Sequence, residues 1–147
     1  MSVLALLILW CHVLLLGVSV GAGLYESRLL VPLWRALPPD RWPDPGLRFW
    51  AFVTTGPLTL TVLAGAWLAA FSAAPVRAWW LASIAVCAVE RVATFAWFIP
   101  TMLRLQRLDT DDSARRAGLD RWARWALARH VLSSMAWGLA LQALRAS

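Results

Sequence analysis

Residues 3–24 read VLALLILWCHVLLLGVSVGAGL, an uninterrupted apolar run in which His12 is the only basic side chain. A helix crossing the hydrocarbon core needs about 20 apolar residues at ~1.5 Å each, and this run meets that length. It exceeds the roughly 7–15 residues of a signal-peptide core, and no positive charge precedes Val3. It therefore reads as a retained span rather than a cleaved leader. Three further stretches follow the same pattern. They run from about Phe49 to Phe71 with Pro57 inside, from about Val76 to Leu103 with Glu90 and Arg91 inside, and from about Trp122 to Leu144 with Arg129 and His130 inside. The prediction is an all-α chain, a single-domain integral membrane four-helix bundle of up-down topology with spans 3–24, 49–71, 76–103 and 122–144.

Composition agrees. Hydrophobic residues make up 61% of the 147, above the roughly 45–50% of soluble domains, so the excess apolar surface calls for lipid as solvent. The net charge is +6 and all 14 basic residues other than histidine are arginines. They stand mostly between apolar runs rather than in a basic stripe, which argues against a nucleic-acid partner. Cys11 and Cys87 both lie inside apolar runs and form neither a disulfide framework nor a zinc motif. No metal site and no cofactor are predicted.

The connections divide the spans. Residues 25–48 hold five prolines and mixed charges, and read as an ordered interfacial loop between helices 1 and 2. Residues 72–77 (SAAPVR) make a tight turn, and the polar residues 104–121 extend two helix ends beyond the bilayer. The first and third connections carry nine arginines (28, 35, 41, 48, 104, 107, 115, 116 and 121), whereas the opposite side has Arg77 and Arg145. The positive-inside rule puts both Arg-rich loops in the cytoplasm and both termini outside. Trp34, Trp42, Trp50, Trp79, Trp80 and Trp122 fall near span ends, where an aromatic belt is expected. Gly17 and Gly21 have the spacing of close helix packing, either inside the bundle or on a homo-oligomer face.

Charges inside the spans are the candidate functional groups. Each unrelieved charge near a helix centre costs roughly 2.5–3.5 kcal/mol, so Glu90, Arg91 and Arg129 must pair, face the interior or line a wet cavity. Counting ~1.5 Å per residue from the cytoplasmic ends places Thr54 and Thr55 ~10 Å deep and Arg129 and His130 ~12–14 Å deep. Glu26 ends helix 1, and Thr94 shares a face with Glu90 one turn away. All four helices thus bring polar groups to the cytoplasmic half. Glu90 and Arg91 diverge by about 100°, so each is expected to find its partner on another helix, for example Glu90 with Arg129 and Glu26 with Arg91. His12, ~20 Å from Glu26, reads as a hydrogen-bonded bundle histidine, with Ser19 midway on the same face.

GAGLYESRLLVPLW at 21–34, ERVATFAWFIPTMLRL at 90–105 and RWARWALARHVL at 121–132 resemble a bacterial four-helix membrane family known only as a domain of unknown function. Its broader grouping includes the anthrone oxygenases. The resemblance covers nearly the whole chain in span order and loop length. Many anthrone-oxygenase-like members have an Asn in a W-x-x-x-N-x-x-R stretch of helix 4, where this chain runs Trp125, Ala126, Leu127, Ala128, Arg129, His130. The resemblance implies an oxygenase that needs no metal or flavin, acting on a hydrophobic aromatic substrate. Such chemistry needs a base, for which Glu90 or His130 is the candidate. It needs positive charge for the enolate, from Arg91 and Arg129. Glu26, Thr55 and Thr94 would help to bind the substrate, with Trp97, Trp122 and Trp125 to stack on it.

Two other classes remain open on the sequence. One is a non-enzymatic membrane protein, either an accessory subunit or a binder of membrane lipid or a hydrophobic small molecule. The other is a haem or quinone redox protein, with His12 and His130 as the axial candidates.

Overall fold

The computed structural model describes residues 1–38, 41–42, 47–107 and 112–147. Four long helices account for nearly all of them: α1 (Val3–Ala36), α2 (Trp50–Ala70), α3 (Ala74–Arg107) and α4 (Asp112–Arg145). A short turn, Leu47–Phe49, leads into α2. Among the described residues no strand occurs. α1, α2 and α3 are each long and apolar enough to cross a membrane. α4 is long enough but, with Arg115, Arg116, Arg121, Arg124 and Arg129 between its start and its middle turn, is not among those three.

Each helix packs on two others, α1 on α2 and α4, and α3 on α2 and α4. Side chains on the outer faces are apolar and uncovered, among them Leu4, Leu14, Leu60, Leu63, Trp67 and Val92. In water such a surface would aggregate, and in a bilayer it is the solvated one.

The helix ends differ from the sequence expectation at the first connection. Half of the stretch expected to be loop is helix, since α1 continues to Ala36. Of the other prolines in that stretch, Pro38 follows the helix, and Pro39, Pro43 and Pro45 lie outside the described residues. The turn between α2 and α3 is shorter than expected, with α2 ending at Ala70 and α3 starting at Ala74. The Ser72 hydroxyl donates to the Leu68 carbonyl there, and Pro75 occupies the first turn of α3, where its missing N–H costs nothing.

Three of the helices widen into π turns, at Glu26–Leu30 in α1, Trp50–Thr55 in α2 and Thr94–Phe98 in α3. The N–H after each turn bonds five residues back, Val31 to Glu26, Gly56 to Ala51 and Ile99 to Thr94. The cause is in the sequence. Pro32, Pro57 and Pro100 each stand two residues past the end of a π turn. A proline offers no N–H, and its ring crowds the carbonyl four residues back, so the preceding turn opens. Gly56 helps, because a Cβ there would sit 2.8 Å from the Ala51 carbonyl oxygen.

Two apolar clusters form the core. One, including Leu9, Leu16, Leu58, Trp80, Cys87 and Ala136, fills the end that holds the α2–α3 turn. The other, including Val31, Trp34, Phe98, Met102, Leu119 and Trp122, fills the opposite end. Trp34, Trp80 and Trp122 are therefore interior packing residues and not the belt anchors expected from their positions. Small residues admit these rings: Gly65 abuts Trp80, and Gly17 abuts Trp137. Gly21 has open space where a Cβ would go, so close packing inside the bundle uses Gly17 and Gly23 rather than the Gly17–Gly21 pair.

Within the first cluster, His12 is fully buried and ties the helices together. Its Nδ1 lies 3.1 Å from the Thr61 hydroxyl and its Nε2 lies 3.1 Å from the Ser83 hydroxyl. Ser83 in turn donates to the Ala136 carbonyl at 2.7 Å, so its oxygen accepts the Nε2 proton. The chain Thr61, His12, Ser83, Ala136 touches all four helices, which fits the expected structural histidine. Replacing His12 by leucine removes two buried hydrogen bonds and is expected to cost about 1–3 kcal/mol, read as a lower midpoint for unfolding in mixed micelles.

Candidate functional site

Between the two apolar clusters lies a polar layer. On α1 it falls between Leu16 and Val31, on α3 between Cys87 and Phe98, and on α4 between Ala126 and Ala136. It encloses a cavity of about 400 Å³. Of the candidates, Glu26, Thr55, Glu90, Arg91, Thr94, Arg129 and His130 all line it, joined by Ser19, Trp50, Phe98, Trp122 and Ser133. Trp97 and Trp125 do not: Trp97 packs beside the second cluster, and Trp125 is exposed on the outer face of α4. Thr54 is buried but turns back to donate to the Trp50 carbonyl at 2.9 Å.

The π turns explain why the cavity exists at this level. Glu26 opens the one in α1, Thr55 closes the one in α2, and Thr94 opens the one in α3. Each wide turn displaces side chains that an α-helix would stack into the interior, and such turns recur at functional sites.

The charges pair, but with partners exchanged from the sequence expectation. Arg91 Nε donates to Glu90 Oε2 at 2.6 Å, a contact between neighbours, and Thr94 donates to Glu90 Oε1 at 3.0 Å. Arg129 Nη2 donates to Glu26 Oε2 at 2.8 Å. Gly23 accounts for the difference. The His130 ring sits where a Cβ of residue 23 would be, 2.6 Å from its Cδ2, so α4 closes onto α1 and delivers Arg129 and His130 to Glu26. The long Arg91 side chain bends back across the 100° divergence to its own neighbour.

His130 Nε2 stands 3.8 Å from Glu26 Oε2 and 3.5 Å from Arg129 Nη2. Three rings surround the Arg129 guanidinium, with centroids 4.7 Å (Phe98), 5.6 Å (Trp50) and 5.9 Å (Trp122) away. Negative ring faces and the Glu26 carboxylate together replace its hydration. Arg91 is less complete. It is only 7% exposed, and its Nη1 has no hydrogen-bond partner among the described residues. A buried, unmatched guanidinium N–H is costly, and such groups call for an explanation.

Glu26, Thr55, Glu90, Arg91, Thr94, Trp122, Arg129 and His130 are legible as site residues from the sequence, whereas Trp50, Phe98 and Ser133 are not. Pro57 and Pro100, each just past a π turn, were the available signal for the first two. Chemically the layer offers a candidate base (His130 beside the Glu26 carboxylate), two guanidinium groups (Arg91 and Arg129) and aromatic walls, around one largely apolar cavity. Comparison with known proteins adds nothing to this geometry: no family model, curated protein or solved structure matches the chain.

Proposed function

We propose that this chain is a four-span integral membrane protein of the anthrone-oxygenase-like grouping, whose cavity binds a flat, lipophilic, enolisable aromatic compound and promotes its reaction with dioxygen. The observation that carries this reading is one largely apolar cavity lined by His130, Arg91 and Arg129 together. Its volume, about 400 Å³, lies within the roughly 300–1,000 Å³ of small-molecule sites.

Two features support a fourth span and an up-down course. Trp125, Leu127, Val131, Met135 and Leu141 give α4 an exposed apolar face from residue 125 to 141. His12 meets Thr61 and Ser83 at one level, while Glu26 meets Arg129 beside Trp50 and Phe98 at the other, so successive helices run in alternating directions. The arginine count supports placing the polar layer toward the cytoplasmic face of a bacterial inner membrane.

In the proposed reaction, His130 takes a proton from the activated methylene of an anthrone-type ketone, and the positive charge of Arg91 and Arg129 stabilises the resulting enolate. Dioxygen adds at that carbon. Loss of water, carrying two substrate hydrogens and one oxygen atom, leaves the quinone. The purified protein in lipid nanodiscs is expected to consume oxygen when given anthrone, above the spontaneous rate. His130→Gln is expected to lower the rate about 100-fold or more, as for loss of a general base. No anthrone-dependent uptake by a folded protein would dismiss the enzymatic reading.

One observation favours a second reading. Both carboxylates already have an arginine partner within the chain, as a layer serving only to hold helices in register would require. A lipid- or small-molecule-binding protein without turnover fits that closure. The haem reading fits less well, since both His12 nitrogens are engaged by hydroxyls.

A further inference from the structure

The cavity walls are unequal. Its lining residues on α1 and α4, such as Ser19, Glu26, Trp122 and His130, are buried, or nearly so in the case of Arg129. The exposed lining residues all lie on α2 and α3: Ala51, Gly56 and Phe95. The mouth therefore opens between these two helices. The Trp50–Thr55 turn packs chiefly on α1, while α2 and α3 pack on each other nearer the α2–α3 turn, so they part at the level of the site. The surface flanking the mouth is apolar, with Phe52 78%, Val92 67% and Phe95 52% exposed. No water-facing vestibule would be built from these residues. They are the ones that acyl chains cover.

The interior is charge-balanced. Glu90 offsets Arg91 and Glu26 offsets Arg129. A ligand bringing its own net charge would have to be desolvated without a counter-charge, which low-dielectric surroundings penalise. We infer that the ligand is a neutral, lipid-dissolved molecule that passes sideways from the bilayer into the cavity through the gap between α2 and α3. This rests on the cavity being a small-molecule site, but not on any oxygenation taking place there.

The probes are anthraquinone, which is neutral and cannot be enolised, and anthraquinone monosulfonate, which adds one negative charge to the same rings. Binding is read as saturable tryptophan quenching in nanodiscs, against empty-disc and variant controls. Anthraquinone is expected to saturate, and the sulfonate to bind at least about tenfold more weakly. Ala51→Trp, on the lipid-facing rim, is expected to slow association about tenfold while melting stays unchanged. The inference is overturned if anthraquinone does not saturate or the sulfonate binds as tightly. Unchanged association in Ala51→Trp overturns it equally. Binding with no oxygen uptake from anthrone dismisses the oxygenase reading alone.

Discussion

Arg129→Met is expected to destabilise the folded bundle by about 3–5 kcal/mol, the cost of leaving a buried carboxylate without its partner. Glu26 is only 5% exposed and Arg129 is its ion-pair partner at 2.8 Å, with His130 farther off at 3.8 Å. The guanidinium also gives up its contacts with Phe98, Trp50 and Trp122. Methionine fills much of the same volume, so the loss reports charge rather than a cavity. Arg129→Lys keeps the charge but not the planar stacking, and a smaller loss is expected. Unfolding of each variant in mixed micelles, followed by circular dichroism, measures the difference. A loss under about 1 kcal/mol for Arg129→Met would indicate that Glu26 reaches water, as exposed pairs do.

Gly23→Val is the second large effect, and it acts on both stability and chemistry. The added Cβ falls 2.6 Å from His130 Cδ2 and 2.7 Å from its Nε2. The ring has little freedom to yield, being boxed in by Glu26 and Arg129. Overpacking of this kind costs about 1–3 kcal/mol. Because the helices separate where the proposed base sits, the proposed oxygen uptake should also fall about 100-fold, the penalty for a misplacement of ~1 Å. Gly21→Val is the control, since nothing lies within 4 Å of its Cβ position, and it should change neither quantity.

How far the sequence discloses this architecture can be followed residue by residue. Apolar runs fix the helices, because a span's length and composition are local properties. The common level of Glu26, Glu90, Thr94, Arg129 and His130 is also readable, since depth follows from counting residues along a helix. Partner choice is not, because it depends on how closely two helices approach, and Gly23 decides that by the absence of a side chain. The buried tryptophans were misread for a related reason. Trp80 lies near a span end in sequence, yet Gly65 on the neighbouring helix opens a slot for it. The π turns were visible as Pro32, Pro57 and Pro100, but the turn that widens precedes the proline, and only the register of three helices together shows that all three widen around one cavity. Trp97 and Trp125 show the limit of residue type as a guide, since an aromatic near a site is as easily packed behind it or turned to lipid.

The central claim is that groups from separate helices meet in a water-poor layer, and a double-mutant cycle across Glu26 and Arg129 tests it most directly. Unfolding is measured for the parent, Glu26→Gln, Arg129→Met and the double variant. The expected coupling is roughly 1–3 kcal/mol, with the double variant more stable than Arg129→Met alone. Additive single effects, with no coupling beyond error, would mean that α1 and α4 do not bring these two side chains together.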